Sequence, residues 1–393
     1  MKGLYVVAAV TMAGVSAVFA LLAELQKRYD LSTGSLGWIG GAAFAAALVT
    51  QLSIARYADR GHARLVLRAG VVACAAGLLW FALATELWQF VAARSVLGAG
   101  VGMLVPPARR AILLKADGNQ GEKLGLFYAS YLCGFVFGPP IAGLISEVSD
   151  VRMPFAVFGL ATLATLVPVA RLELPEAERG VPLARAERRV LRRLVVDRRV
   201  VAAMLVIVSF RYSVGVFEPL WAHHLDHLGA STMVVTLSLT VFALPMLLVA
   251  KWAGALSDRY GARYTSVLAA FATVPLMACY GYVTSLPVLF LLVMPHGLGE
   301  AVESPGTQAA LADAAPRSDS AAAQGLGEAA GSAAAAIGAF TSAPLYAWAG
   351  PGPAWLTAGA VMAALLTAST LLDRPVRLTA PARRLSPADQ GWG

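Results

Sequence analysis

The apolar residues of this chain come in blocks of about 20, and that feature constrains the fold more than any other. A helix rising about 1.5 Å per residue crosses roughly 30 Å of hydrocarbon in such a block. Hydrocarbon offers backbone amides no water, so only helices or closed barrels persist there. Twelve blocks can be drawn, near 4–26, 33–54, 65–85, 87–113, 123–147, 153–172, 200–222, 231–253, 264–284, 287–311, 321–348 and 353–373. The expected fold class is therefore all-α membrane, with twelve transmembrane helices. Composition agrees, because 58% of the 393 residues are hydrophobic and 14% charged, where soluble domains run near 45–50% and 25%. The first block lacks a small-residue cleavage site, Ala23-Glu24-Leu25-Gln26 being a poor substitute, and reads as a retained span.

A net charge of +8 would suggest nucleic acid for a soluble protein, but its distribution excludes that partner. With the N-terminus placed in the cytoplasm, 26 of the 31 Lys and Arg residues fall on the cytoplasmic side. Three fall outside (Lys27, Arg28, Arg152) and two within spans (Arg94, Arg211). This asymmetry follows the positive-inside rule and predicts that both termini are cytoplasmic. Arginine outnumbers lysine 26 to 5, which points to a high-GC bacterial source and a cytoplasmic (inner) membrane. Cys74, Cys133 and Cys279 lie in three different blocks without metal-ligand spacing, so no metal is expected.

The longest polar interval divides the spans six and six, and the two sides repeat at a nearly constant offset. Asp59-Arg60 matches Asp258-Arg259, Arg64 matches Arg263, Gly98 and Gly100 match Gly297 and Gly299, and Pro106 matches Pro305, all 199 apart. Gly125 and Gly138 match Gly325 and Gly338 at 200. The organisation expected is a six-helix bundle over 1–172, a basic cytoplasmic linker over 173–199, a second bundle over 200–373 and a cytoplasmic tail over 374–393. Parallel repeats about an axis normal to the membrane place a substrate site between the bundles, near the midplane.

These residues resemble the major facilitator superfamily along essentially the whole chain. Its loop signature, Gly-x-x-x-Asp-Arg-x-Gly-x-Arg, stands as Gly254, Asp258, Arg259, Gly261 and Arg263. The copy after span 2 keeps Asp59, Arg60 and Arg64 but has Ala55 and His62 at the glycine positions. Arg94-Ser-Val-Leu-Gly98-Ala-Gly100 is similar to the family's span-4 motif, with Leu97 where glutamine is usual. Gly134, Gly138, Pro139, Pro140 and Gly143 look like the span-5 signature of the proton-coupled drug exporters. The resemblance implies two pseudo-symmetric six-helix bundles, loops that latch them on the cytoplasmic side, and outward transport.

No Gly-x-x-x-x-Gly-Lys-Ser/Thr run is present, so no phosphate cradle or other cofactor is expected and transport would be secondary. Charges in mid-bilayer cost about 2.5–3.5 kcal/mol each on insertion scales and usually face a cavity or a partner. Span 7 holds Arg211 and Glu218, seven residues apart and hence on one helical face. Span 10 holds His296, Glu300 and Glu303 on one face, bracketed by Pro295 and Pro305. Arg94 lies on span 4, Glu328 on span 11 and Glu24 near the outer end of span 1. A carboxyl shielded from water keeps its proton more readily, which suits a proton carrier. Protonation also removes the charge that attracts a cationic cargo, so proton and cargo compete. Arg94 and Arg211 serve equally well as partners of carboxylates or as contacts to substrate. The reading is a monomeric proton antiporter exporting amphipathic or cationic small molecules, and not an enzyme. Two alternatives stay open: an uptake permease for an anionic metabolite, and a non-transporting membrane receptor or scaffold.

Overall fold

The computed structural model describes residues 2–54, 62–114, 120–172, 190–316 and 319–374. The helices are α1 Lys2–Arg28, α2 Thr33–Ser53, α3 Ala63–Leu83, α4 Leu87–Leu114, α5 Gln120–Val148 and α6 Met153–Ala170, the last interrupted at Thr165. They continue as α7 Arg198–His227, α8 Thr232–Tyr260, α9 Ala262–Cys279, α10 Leu286–Ala314, α11 Ser320–Ala349 and α12 Pro351–Leu372. Among the described residues there is no strand, and eleven helices are long and apolar enough to cross a membrane. The helix outside that eleven is α11, which spans 30 residues but is diluted by Gly and Ser. It packs between α2 and α7, where small residues serve better than lipid-facing bulk. Exposed Leu83, Val148, Trp348 and Leu371 give other helices an apolar outer face.

Local chemistry sets the breaks. Asp197 caps α7 by accepting from the Arg199 and Val200 amides at 2.9 and 3.4 Å. Gly261 separates α8 from α9 at φ +94°, and Gly350 separates α11 from α12 at φ +85° with Pro351 opening the next helix. The loop signature is therefore mostly helical: Gly254, Asp258 and Arg259 form the last turns of α8, and Gly261 makes the turn. Arg109 and Lys123, counted with the loop after span 4, likewise lie inside α4 and α5.

The 199-residue repeat recurs in the packing. A side chain at Gly98 would strike the Ala43 carbonyl, and one at Gly297 the Phe242 carbonyl. Gly100 lies against Cys74 and the Gly70 carbonyl, as Gly299 lies against Thr273 and the Ala269 carbonyl. Gly138 abuts the Ala13 carbonyl and Gly338 the Tyr212 carbonyl. The close α2–α4, α3–α4 and α1–α5 approaches thus reappear as α8–α10, α9–α10 and α7–α11.

The two ends of the molecule differ. Arg263, at the start of α9, bonds the Ser369 carbonyl at 3.1 Å and pairs with Asp373 at 3.3 Å, so α12 finishes beside α9. Here the first six helices bury Leu4, Leu67, Leu104 and Phe127 in one cluster, and the last six bury Val200, Ile207 and Leu311 in another. At the opposite end a single cluster unites both sets, with Leu21, Leu36 and Phe155 alongside Trp221, Leu239 and Trp355. Polar contacts reinforce that far end: Lys27–Asp226 at 2.5 Å, His223 Nδ1 with Gln26 Oε1 at 2.7 Å, and Thr232 donating to Glu24 at 3.1 Å.

Candidate functional site: the charged midsection between the helix sets

Arg94 of α4 and Glu218 of α7 form an ion pair that joins the first six helices to the last six. Arg94 is 2% exposed and Glu218 9%, so the pair is buried. The Arg94 Nε–H has no hydrogen-bond partner, and Glu218 is the one carboxylate that meets its guanidinium among the described residues. Of the two roles open to Arg94, partner of a carboxylate or contact to substrate, this structure shows the first, with Glu218 as the carboxylate.

The acidic face of α10 lies deeper among the last six helices. His296, Glu300 and Glu303 are all buried. The Tyr280 hydroxyl and His296 Nδ1 are 2.7 Å apart, while His296 Nε2 faces Glu300 Oε1 at 3.6 Å, beyond a hydrogen bond. Phe217 and Phe242 close the other sides of the imidazole edge-on, at 5.8 and 5.6 Å between ring centres. Glu303 Oε1 and His296 Nε2 are buried without hydrogen-bond partners. An acceptor in that condition costs about 1–3 kcal/mol, and more if charged, unless a proton, water or ligand meets it.

Arg211 lies about two helical turns before Glu218 on α7 but does not pair with it. Its guanidinium stands over the Phe44 ring of α2 at 5.8 Å, and no carboxylate lies within ion-pair distance among the described residues. Glu328 pairs with Arg109 at 3.1 Å, and Arg109 also covers the Tyr128 ring at 4.9 Å.

The signature residues divide. Asp59 and Arg60 lie outside the described residues, and Arg64 is exposed. Asp258 and Arg259 are exposed, and the Arg259 guanidinium stands over the neighbouring Tyr260 ring at 5.1 Å. The α5 signature meets other helices directly. Gly134 and Gly138 let α5 settle on the α1 backbone, and Gly143 faces Thr236 of α8. Pro140 has no N–H for the carbonyl one turn earlier, that of Val136. Thr240 of α8 supplies the missing donor at 2.8 Å, across the two helix sets.

Sequence reasoning missed Tyr280, Thr240 and Phe44. Tyr280 could have been suspected as a hydroxyl near the end of a span, but its pairing with His296 depends on the angle between α9 and α10. Thr240 carried a weak signal, because a proline inside a helix implies a stranded carbonyl that some neighbour must serve.

Long apolar helices and a charged midsection shared by two similarly built helix sets define a class: a multi-pass membrane protein. The sequence profile of the Major Facilitator Superfamily matches residues 4–226 and again 203–391, and the chain belongs to that family. It is 26% identical over 296 residues to the gentisate transporter of Corynebacterium glutamicum, covering 70% of this chain and 65% of that protein. It is 26% identical over 215 residues to the quinolone resistance protein NorA of Staphylococcus aureus, covering 53% of this chain and 54% of the relative. Multidrug resistance protein 1 of Bacillus subtilis is 21% identical over 218 residues, covering 54% and 55%. The similarity thus spans about half to two thirds of these relatives. The fold is that of the nucleoside transporter NupG, with TM-score 0.79 and 13% identity over 95% of this chain and 99% of the other. A D-xylose–proton symporter superposes with TM-score 0.77 and 17% identity over 95% and 96%.

Proposed function

We propose that this chain is a proton-coupled secondary transporter that exports amphipathic or cationic small molecules by alternating access. It works as a monomer in a bacterial cytoplasmic membrane with both termini in the cytoplasm. The observation that carries the reading is the buried face of α10, where Glu303 keeps an acceptor oxygen without a partner and Glu300 stops short of His296. A carboxylate so placed gains from either a proton or a cationic group of the cargo, and the two exclude each other. That exclusion is what antiport requires. Two six-helix bundles, 1–172 and 200–373, rock about the site, with 173–199 linking them and 374–393 as the tail. Glu218 and Arg94 form the charge-matched joint between the bundles, and the α5 signature gives the outward direction. The drug-resistance names of two relatives favour export, and the gentisate transporter's name favours an anionic cargo. The anion-permease reading is weakened because Arg94 is taken by Glu218, leaving Arg211 alone for an anion.

The test is cargo flux in proteoliposomes, with and without an imposed pH gradient, over cationic, neutral and anionic compounds. Glu300→Gln and Glu303→Gln should abolish concentrative export of cationic cargo yet keep downhill exchange. Glu24→Gln, at the far end where Glu24 accepts from Thr232, should do less. Concentration of cargo by both α10 variants at the wild-type level would remove the proton-carrier assignment.

A further inference from the structure

Among the described charged groups in the middle of the helices, the cations are not equivalent. Arg94 is neutralised by Glu218 and Arg109 by Glu328, whereas Arg211 has no carboxylate within ion-pair distance. It sits near the middle of α7, with a buried Nε–H that meets no acceptor. Its guanidinium faces the Phe44 ring of α2 at 5.8 Å, so cation and ring come from opposite helix sets. Both side chains are part-exposed. Gly331 of α11 lies against the Arg211 stem, where any larger residue would displace it. Glu300 and the Tyr131 hydroxyl of α5 are near enough to act on Arg211 electrostatically, without pairing with it. A cation at mid-bilayer depth is retained where it faces a cavity or a partner. Among the described residues no carboxylate partner is in place.

We propose that Arg211 and Phe44 form a subsite for the carboxylate and adjoining ring at the anionic end of a zwitterionic aromatic cargo. A guanidinium holds a carboxylate through two parallel N–H donors, a geometry that an ammonium cannot match. Phe44 supplies the apolar face for the ring next to that carboxylate. The inference rests on the reading that cargo enters between the helix sets, and it extends that reading to zwitterionic cargo, with the α10 carboxylates left for the cationic end.

The test is equilibrium binding by calorimetry to the full chain in lipid nanodiscs at neutral pH, against empty nanodiscs. The probes are benzoate, benzylammonium and benzyl alcohol, which share a ring and differ in charge. Benzoate should bind more tightly than benzyl alcohol. Arg211→Gln should weaken benzoate by about tenfold to a hundredfold, and leave benzylammonium unweakened. Arg211→Lys should recover part of the loss, and Phe44→Leu should weaken benzoate several-fold at unchanged thermal stability. The Lys and Leu variants keep the readout usable if Arg211→Gln fails to fold. Benzoate binding no tighter than benzyl alcohol, or equal benzoate binding by wild type and the Arg211 variants, overturns the subsite. Binding is read without a pH gradient, so failure of proton coupling would leave this result standing, and failure here would leave proton coupling untouched.

Discussion

Glu218→Gln preserves the size of the side chain and removes its charge, and the consequence falls on Arg94. That guanidinium is 2% exposed, pairs with Glu218, and already carries one N–H without an acceptor. Breaking a buried ion pair from one side costs about 3–5 kcal/mol, because the surviving charge stays buried and unmatched. Removing both charges costs far less. The expected series is a strongly destabilised Glu218→Gln, a similarly destabilised Arg94→Gln, and a double variant that regains most of the loss. Thermal unfolding in detergent with a thiol-reactive fluorophore measures this, since Cys74 is fully buried until the fold opens. Flux separates charge balance from chemistry. Transport lost in Glu218→Gln and restored in the double variant would make the pair a joint. Transport lost in both would place Glu218 on the proton or cargo path. A Glu218→Gln protein that melts with wild type would refute the argument, by showing that water reaches Arg94.

The other expectations concern backbone contacts and use the same unfolding assay. Gly98→Ala and Gly297→Ala should both destabilise, each forcing a Cβ into a neighbouring carbonyl, while Gly125→Ala and Gly325→Ala, whose Cβ would meet nothing within 4 Å, should be neutral or stabilising by up to about 1 kcal/mol. Gly261→Ala, at φ +94°, should cost about 1–3 kcal/mol where Gly254→Ala in the same signature costs little. Thr240→Val keeps the side-chain shape but strands the Val136 carbonyl, and should cost about 1–3 kcal/mol. Pro140→Ala in the Thr240→Val background should restore much of that, because the new amide can serve the same carbonyl.

What the sequence disclosed follows from the range of the forces involved. Span positions were legible to within a few residues over most of the chain because a bilayer imposes length and polarity on each helix separately. α8 ran past its apolar block, to Tyr260 instead of 253, because Gly254 stays helical and the backbone first turns to positive φ at Gly261. The composition of α11 was legible as rich in small residues, and its position between α2 and α7 gives that composition a cause. Charged candidates were legible for the same reason as the spans, since an ionisable residue inside an apolar block stands out. Their partners were not. Arg94–Glu218 joins residues 124 positions apart and Arg109–Glu328 joins residues 219 apart. Such pairings depend on how the helix sets face each other. Helical periodicity placed Arg211 and Glu218 on one face, but a face is wide enough for one to meet α4 and the other α2.

The distribution of contacts between the helix sets bears on how a transport cycle could be driven. Far-end polar contacts are partly exposed, Lys27 being 59% exposed in its pair with Asp226. An exposed pair contributes about 0–1 kcal/mol, so these contacts select a closed arrangement without holding it against a competitor. The apolar cluster shared by both sets at that end contributes more to closure, and it has no chemical trigger of its own. On the proposed proton-coupled reading, a trigger acts where charge is buried, which in this molecule is the midsection. There a single added proton or cargo charge alters a balance worth several kcal/mol, enough to outweigh any far-end latch. Loss of the latch should accordingly change how often the far end opens, and loss of a midsection charge should change whether opening is coupled to anything at all. If transport is proton-coupled as proposed, Lys27→Ala paired with Asp226→Ala should keep pH-gradient-driven transport within a few-fold of wild type, while Glu303→Gln abolishes it. The reverse ranking in the same flux assay would place the control of the cycle at the far end.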